Sequence, residues 1–396
     1  MTARPHAKSP RALPGAFGRA FSMERLPGLV GQMVLLVAIA WLAWHGIANF
    51  IGNARALGVS IGFGFLRNEA GFEIAQSMIS FGPASSYRDA IVVATLNSLL
   101  VVVLASGLGT LVALCVAFGR LSTHPLIRGA SSLYVEVFRN IPMLLQIFFW
   151  YFSALALLPG VADSYELGAV LLNNRGLFLP RLLLTSTALW ALMAALLAFV
   201  LLSIALVRAV RLRFGPLVLV FFSAVMLALC LAPLIVIHVQ FGLDRPTVEG
   251  FNVGGGFALL PELIALTLGL SIYNSAFLAE IFRAGILSVP RGQTEAAATV
   301  GLTGVRAAFL VTLPQAMRLA LPPAAGQYQT LAKASSLAAA IGYPDIMQIV
   351  GGTVLSQTGQ ALEAMALVVL LYAAINLVIA LAVNLVNRRL FRAGRR

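Results

Sequence analysis

The chain has 396 residues, 60% of them hydrophobic and only 10% charged, a balance that excludes a soluble globular protein and points to several membrane spans. Its net charge of +13 comes from 27 Lys and Arg against 14 Asp and Glu. These basic residues fall mainly between apolar runs, with no zinc-finger or aromatic nucleic-acid motif, so they report membrane topology rather than nucleic-acid binding.

Residues 1–28 are a basic tail carrying Arg4, Lys8, Arg11, Arg19 and Arg25. No secretory cleavage site follows the first apolar run, which is therefore read as a retained span, Leu29–Phe50, with a mixed connection to residue 88. Span two is expected over Ala90–Phe118; it carries Asn97, and Gly107, Gly109 and Gly119 permit close helix contacts or bends. A basic connection with Arg120, Arg128 and Arg139 leads to span three, Pro142–Leu158. Gln146 within it needs a hydrogen-bond partner, and either lines a pathway or ties down another helix. Spans four and five are expected at Leu184–Val207 and Pro216–Val239, separated by Arg208, Arg211 and Arg213. Span six, Leu259–Phe282, contains Ser271, Tyr273, Asn274 and Glu280, and Glu280 stands three residues before Arg283, a spacing that brings opposite charges together on a helix. Cys115 and Cys230 lie in apolar runs and read as buried small hydrophobes; the four histidines are scattered and form no metal site.

The most polar-patterned stretch of the second half is QTEAAATVGLTGVRAAFLVTLP, from Gln293 to Pro314. Alanines and Glu295 favour helix, Gly301 supplies a sharp reorientation, and Pro314 disfavours continuation of the helix before it. Two short helices meeting at a Gly301 corner are expected, within a loop spanning residues 284–321. Span seven follows over Pro322–Ile341, less apolar than the others and holding Gln327, Lys333 and Ser336. Residues 342–360 form a connection with a re-entrant or short helical portion, in which Asp345 marks an outer turn. Span eight, Ala361–Val386, ends in a basic tail at 387–396. Eight spans place both termini on one side. That side, with the loop, holds 21 of the 27 basic residues, which makes it the cytoplasmic side.

Glu295-Ala296-Ala297, Gly301, Val311 and Leu313-Pro314 match, at every spacing, the EAA loop of binding-protein-dependent ABC importer permeases, with Val311 where isoleucine is commoner. The stretches YVEVFRNIPMLLQIFFWYF, NNRGLFLP and NSAFLAEIFRAGILSVPRGQTEAA further resemble the larger permeases of polar or general L-amino-acid importers, although Phe277 replaces a familiar tyrosine. The resemblance implies an all-α transmembrane bundle with a MetI-like core, here residues 89–386, into which a helix pair at about 184–239 is inserted. It implies two cytoplasmic ATPase subunits that carry ATP and magnesium, a second similar permease in a heterodimer, a periplasmic binding protein, and an inner-membrane location. In this reading Glu295 meets the ATPase or holds the loop, Ala296 and Ala297 permit close docking, Gly301 forms the corner, and Leu313-Pro314 define the exit. The glycines at 254–256 lack the Lys-Ser or Lys-Thr ending of a phosphate loop, so the chain itself is not expected to bind ATP, hold a cofactor or act as an enzyme. Pathway or helix-contact roles fall to Asn97, Gln146, Ser271, Tyr273, Asn274, Glu280, Gln327 and Ser336, since polar groups in lipid are costly. The rival readings are an ion-coupled amino-acid transporter and a non-transporting membrane scaffold.

Overall fold

A computed structural model of the chain describes residues 26–56, 62–183 and 242–393. The helices are α1 (Leu26–Ala56), α2 (Tyr87–Leu121), α3 (Pro125–Asn140), α4 (Met143–Leu157), α5 (Pro261–Leu287), α6 (Arg291–Thr299), α7 (Gly304–Ala307), α8 (Leu313–Ala334), α9 (Ile346–Gln348), α10 (Leu355–Thr358) and α11 (Ala361–Ala393). Four helices among the described residues are long and apolar enough to cross a membrane: Val30–Asn53, Tyr87–Leu121, Pro261–Leu287 and Ala361–Arg388. The pair α3 and α4, bent by 101°, makes a fifth if counted as one span. The expected spans four and five lie outside the described residues.

The bundle is all-α and built around α2 and α5, which pack along each other. The far half of their seam is closed by Val101, Leu263, Leu266 and Leu270, and a second cluster near the other end joins Ala113, Ala117, Val135, Leu278 and Phe282. Close approach is set by small residues. A Cβ at Gly109 would lie 3.1 Å from the Ser271 carbonyl oxygen, and one at Gly285 would lie 2.9 Å from the Ala316 carbonyl oxygen on α8. By contrast α1 has none of its candidate span buried.

Several expectations need correction. The basic connection after span two is itself helical, as α3, and the elbow between α3 and α4 falls at Ile141-Pro142, where proline forces Ile141 into extended backbone. The helix at the expected span seven begins at Leu313 and not at Pro322, and it is not among the helices long and apolar enough to cross a membrane. The chain stays helical from Gly304 to Ile341, passing Pro314, Pro322 and Pro323. A π-turn over Ala308–Thr312 precedes Pro314; such a widened turn accommodates the missing N–H and the ring without ending the helix. Cys115 faces out of the bundle rather than into it. The connections on either side of residues 184–241, read as loops, carry short strands: β1 (Tyr165–Leu167), β2 (Val170–Asn173), β3 (Gly176–Leu179), β4 (Arg181–Leu183), β5 (Gly242–Asp244), β6 (Thr247–Glu249), β7 (Asn252–Gly254) and β8 (Phe257–Leu259). Antiparallel pairing orders β1-β2-β3-β8 in one sheet, with Leu177 opposite Leu259, and makes β4-β5 and β6-β7 two-stranded. This layer sits at the head of α5, opposite the 291–313 loop.

The tight α5–α8 contact makes a direct test. Gly285→Val is expected to lower the stability of the purified protein in detergent by about 1–3 kcal/mol, read as a fall in Tm. Gly107→Val, where an added Cβ meets nothing within 4 Å, is expected to change it by less than about 0.5 kcal/mol. Equal Tm values for the two would contradict the packing.

Candidate functional site

The loop is a helix end followed by a helix start. After α6, the Gly301 N–H bonds the Ala298 carbonyl at 3.0 Å and the Leu302 N–H bonds the Ala297 carbonyl at 2.9 Å, the paired bonds of a Schellman cap. That cap requires a left-handed residue, and Gly301 has φ 80. A second left-handed glycine, Gly304, starts the helical run to residue 341. Gln315 donates to Gln293 at 3.2 Å and so ties α8 back to α6. Glu295 and Ala296 are exposed on α6, whereas Ala297 is only 4% exposed and packs inside the loop; of the two alanines, Ala296 alone offers its side chain to a partner. Val311, Leu313 and Pro314 are half-buried in the continuous helix, so Leu313-Pro314 do not mark an exit from it. Beside the corner stand Val300, Phe309 and Leu310, at 73%, 64% and 64% exposure. Apolar surface is thus exposed on an otherwise polar loop.

Behind the loop an ion cluster closes the bundle. Glu280 bonds Arg283 at 2.6 Å, one turn on in α5, and also bonds Arg120 at the end of α2. Arg139 of α3 lies over the Phe277 ring, 4.8 Å from its centroid, and Tyr273 stacks on the same ring at 4.9 Å. Phe277, in place of a tyrosine, thus serves as a platform for a guanidinium.

The other predicted polar residues do not form one site. Gln146 donates to the Phe138 and Ile141 carbonyls at 3.0 and 3.1 Å, satisfying groups freed by the Pro142 elbow, so it is a structural tie. The Ser271 hydroxyl donates to the Thr267 carbonyl of its own helix at 2.5 Å and lies 3.3 Å from the Ala105 carbonyl across the α2–α5 seam, beside Asn274, which is 1% exposed with both amide atoms unpaired. Gln327 is half-buried on α8, and the Ser336 hydroxyl bonds the Lys333 carbonyl of its own helix.

Asn97 leads to a group of residues that the sequence reading missed. It donates to the Gln76 and Pro344 carbonyls at 2.8 and 3.0 Å. Next to it the Ser98 hydroxyl accepts from the Ile346 N–H at 3.0 Å, and the Tyr343 hydroxyl donates to the Asn97 carbonyl at 3.3 Å. At the centre is Asp345, read as an outer turn but fully buried. It caps α9 by accepting from the Gln348 N–H at 2.8 Å, and accepts from the Tyr372 hydroxyl of α11 at 2.8 Å. The signal available in sequence was the Gly342-Tyr343-Pro344-Asp345 run itself, a helix stop followed by a capping residue. Among the described residues no group of His, Cys, Asp and Glu is arranged to hold a metal ion.

Two outcomes follow. Asp345→Ala removes a cap and strands the Tyr372 hydroxyl, and is expected to lower stability by about 2–4 kcal/mol, measured as Tm and as the yield of folded protein. In a cycle of Glu280→Gln, Arg120→Gln and the double variant, a coupling of about 0.5–3 kcal/mol is expected; additive effects would show that the pair is idle.

Residues 212–392 match the family described as binding-protein-dependent transport system inner membrane component. The Escherichia coli (strain K12) protein YhdX is 41% identical over 369 residues, covering 91% of this chain and 93% of that protein. The general L-amino acid transport system permease protein AapQ of Rhizobium johnstonii is 40% identical over 364 residues, 90% of each chain. The glutamate/glutamine/aspartate/asparagine transport system permease protein BztB of Rhodobacter capsulatus is 34% identical over 394 residues, 90% of this chain and 91% of that one.

Proposed function

This chain belongs to the inner-membrane permeases of binding-protein-dependent ABC transporters for amino acids, and on that premise we propose that it is the membrane-spanning subunit of an ATP-driven importer of polar or general L-amino acids. It works in the bacterial inner membrane with about eight spans and both termini in the cytoplasm, beside a second, similar permease. Two ATPase subunits dock from the cytoplasm, and a periplasmic binding protein delivers the substrate. The distribution of basic residues supports the orientation, and the names of the similar permeases support the substrate class.

The observation that carries the coupling role is the left-handed corner at Gly301, which presents α6 and its apolar surroundings directly between the ends of α5 and α8. Closure of the ATPases pushes on Glu295, Ala296 and the Val300, Phe309 and Leu310 patch. The Schellman cap keeps α6 at a fixed angle to the following helix. The push therefore reaches α8, which packs against both α5 and α11. Binding energy spent at the loop in this way changes the relative stability of two arrangements of the bundle, which is what alternating access requires.

Uptake of labelled L-amino acids into vesicles holding the full complex, with binding protein outside and ATP inside, tests this reading. Import is expected to need both. Proline cannot adopt φ 80, so Gly301→Pro breaks the corner and is expected to cut uptake by about tenfold or more while the complex still assembles. Uptake that continues without the ATPase would instead establish an ion-coupled transporter.

A further inference from the structure

The break between residues 341 and 346 lies deep in the bundle. Ser98 stands 11 residues into α2, and Tyr372 stands 11 residues into α11, which puts their partners Ile346 and Asp345 about 16 Å along each span from its outer end. Irregular backbone at such depth is tolerated only where it is buried in protein or lines a water-filled cavity, and secondary transporters place their substrate sites at broken helices of this kind. Here the break is buried in protein on one side and borders open grooves on the other. One side of the short helical segment Ile346–Thr358 is packed into the core through Ile346, Ile349, Val350 and Val354, none more than 3% exposed. Its other side is polar and borders two cavities of about 410 and 400 Å³. Gln348 and Thr353 line both, and the Gln348 Oε1 atom has no hydrogen-bond partner. The segment is fixed at both ends: Asp345 and Ser98 hold its start, and Gln357 accepts from the Tyr87 hydroxyl at 2.9 Å near its finish.

We propose that the polar face of Ile346–Thr358 is a wall of the substrate path, with Gln348 and Thr353 as the residues that touch a passing L-α-amino acid. The chemistry of the second cavity suits such a zwitterion. Glu73 and Glu262 on its far wall can take the ammonium group, the Thr353 hydroxyl and Gln348 amide can donate to the carboxylate, and Phe72, Ile74 and Ile349 offer apolar surface to varied side chains. Among the described residues neither lining holds a lysine or arginine, so nothing they supply favours an acidic side chain over a neutral one. The helical run from the 291–313 loop ends at Gly342, immediately before this wall, so motion of the loop is delivered to it. This inference rests on the importer reading, because it assigns the path of that importer's substrate.

The test uses the full complex in vesicles, with Cys115 and Cys230 replaced by serine and import first verified as ATP-dependent. Thr353→Cys is expected to react with a charged, water-soluble maleimide. The rate should fall about fivefold or more when a transported L-amino acid and binding protein are present in the nucleotide-trapped state. Val350→Cys, with no exposed surface, is expected to stay unreactive. Gln348→Leu is expected to keep binding-protein-stimulated ATP hydrolysis while importing about tenfold less amino acid per ATP, a ratio that a merely structural residue leaves unchanged. In a complex whose parent imports, a Thr353→Cys rate indifferent to amino acid, or a parental ratio in Gln348→Leu, overturns this assignment and leaves the importer reading standing. A parent that imports without ATP overturns the importer reading, and this assignment with it.

Discussion

Everything in this bundle depends on how a broken helix is kept satisfied away from water. Stopping a helix inside a membrane frees carbonyl and N–H groups that have no solvent to bond, at a cost of several kcal/mol each. The chain stops one at Ile341 and begins another at Ile346, and it answers the cost with side chains from two other places, Asn97 and Ser98 of α2 and Tyr372 of α11, and with Asp345 itself. The same solution recurs in lesser form at the α3–α4 elbow, where the single Gln146 amide serves two carbonyls. Two of the residues that look most like a substrate site in a hydropathy plot, Asn97 and Gln146, are therefore fittings of irregular backbone.

Two kinds of physics hold the bundle together. Toward the loop, charge does the fastening, with one carboxylate held between two guanidinium groups and a third guanidinium laid on an aromatic ring. Partly exposed pairs of this sort contribute modestly to stability but fix which helix faces which. Packing does the rest along the whole length: small residues let α2 and α5 approach at Gly109, and α5 and α8 at Gly285 beside the loop, until an added Cβ would crowd the facing backbone. A permease that must change shape gains from this division, because ion pairs can exchange partners in water while a close-packed seam moves as one body.

Much of this was legible in the sequence. The loop was found because its residue types recur at fixed separations, and its glycine corner follows from the backbone angles that only glycine accepts easily. Glu280 and Arg283 were paired by helical spacing, though their third partner, Arg120, stands 160 residues away from Glu280 and could not be read locally. Pro314 misled, because the rule that proline ends helices has an exception that depends on a widened turn, and no residue pattern announces one. Asp345 misled for the opposite reason. A charged residue beside proline in a glycine-bounded stretch looks exposed, and only tertiary structure shows that a tyrosine hydroxyl waits for it. The short strands escaped because runs of three or four residues are too brief for alternation to register.

The helical continuity through Pro314 has a mechanical consequence. From Gly304 to Ile341 the chain runs 38 residues without leaving helical geometry, through a π-turn, three prolines and a closing 3-10 stretch. Each of these is a place where a helix can bend without ending, so the loop and the break after Ile341 stay joined by one continuous helical run. Had proline ended the helix where its chemistry first indicates, a joint would separate the loop from the break after Ile341, and the two would be free to move independently.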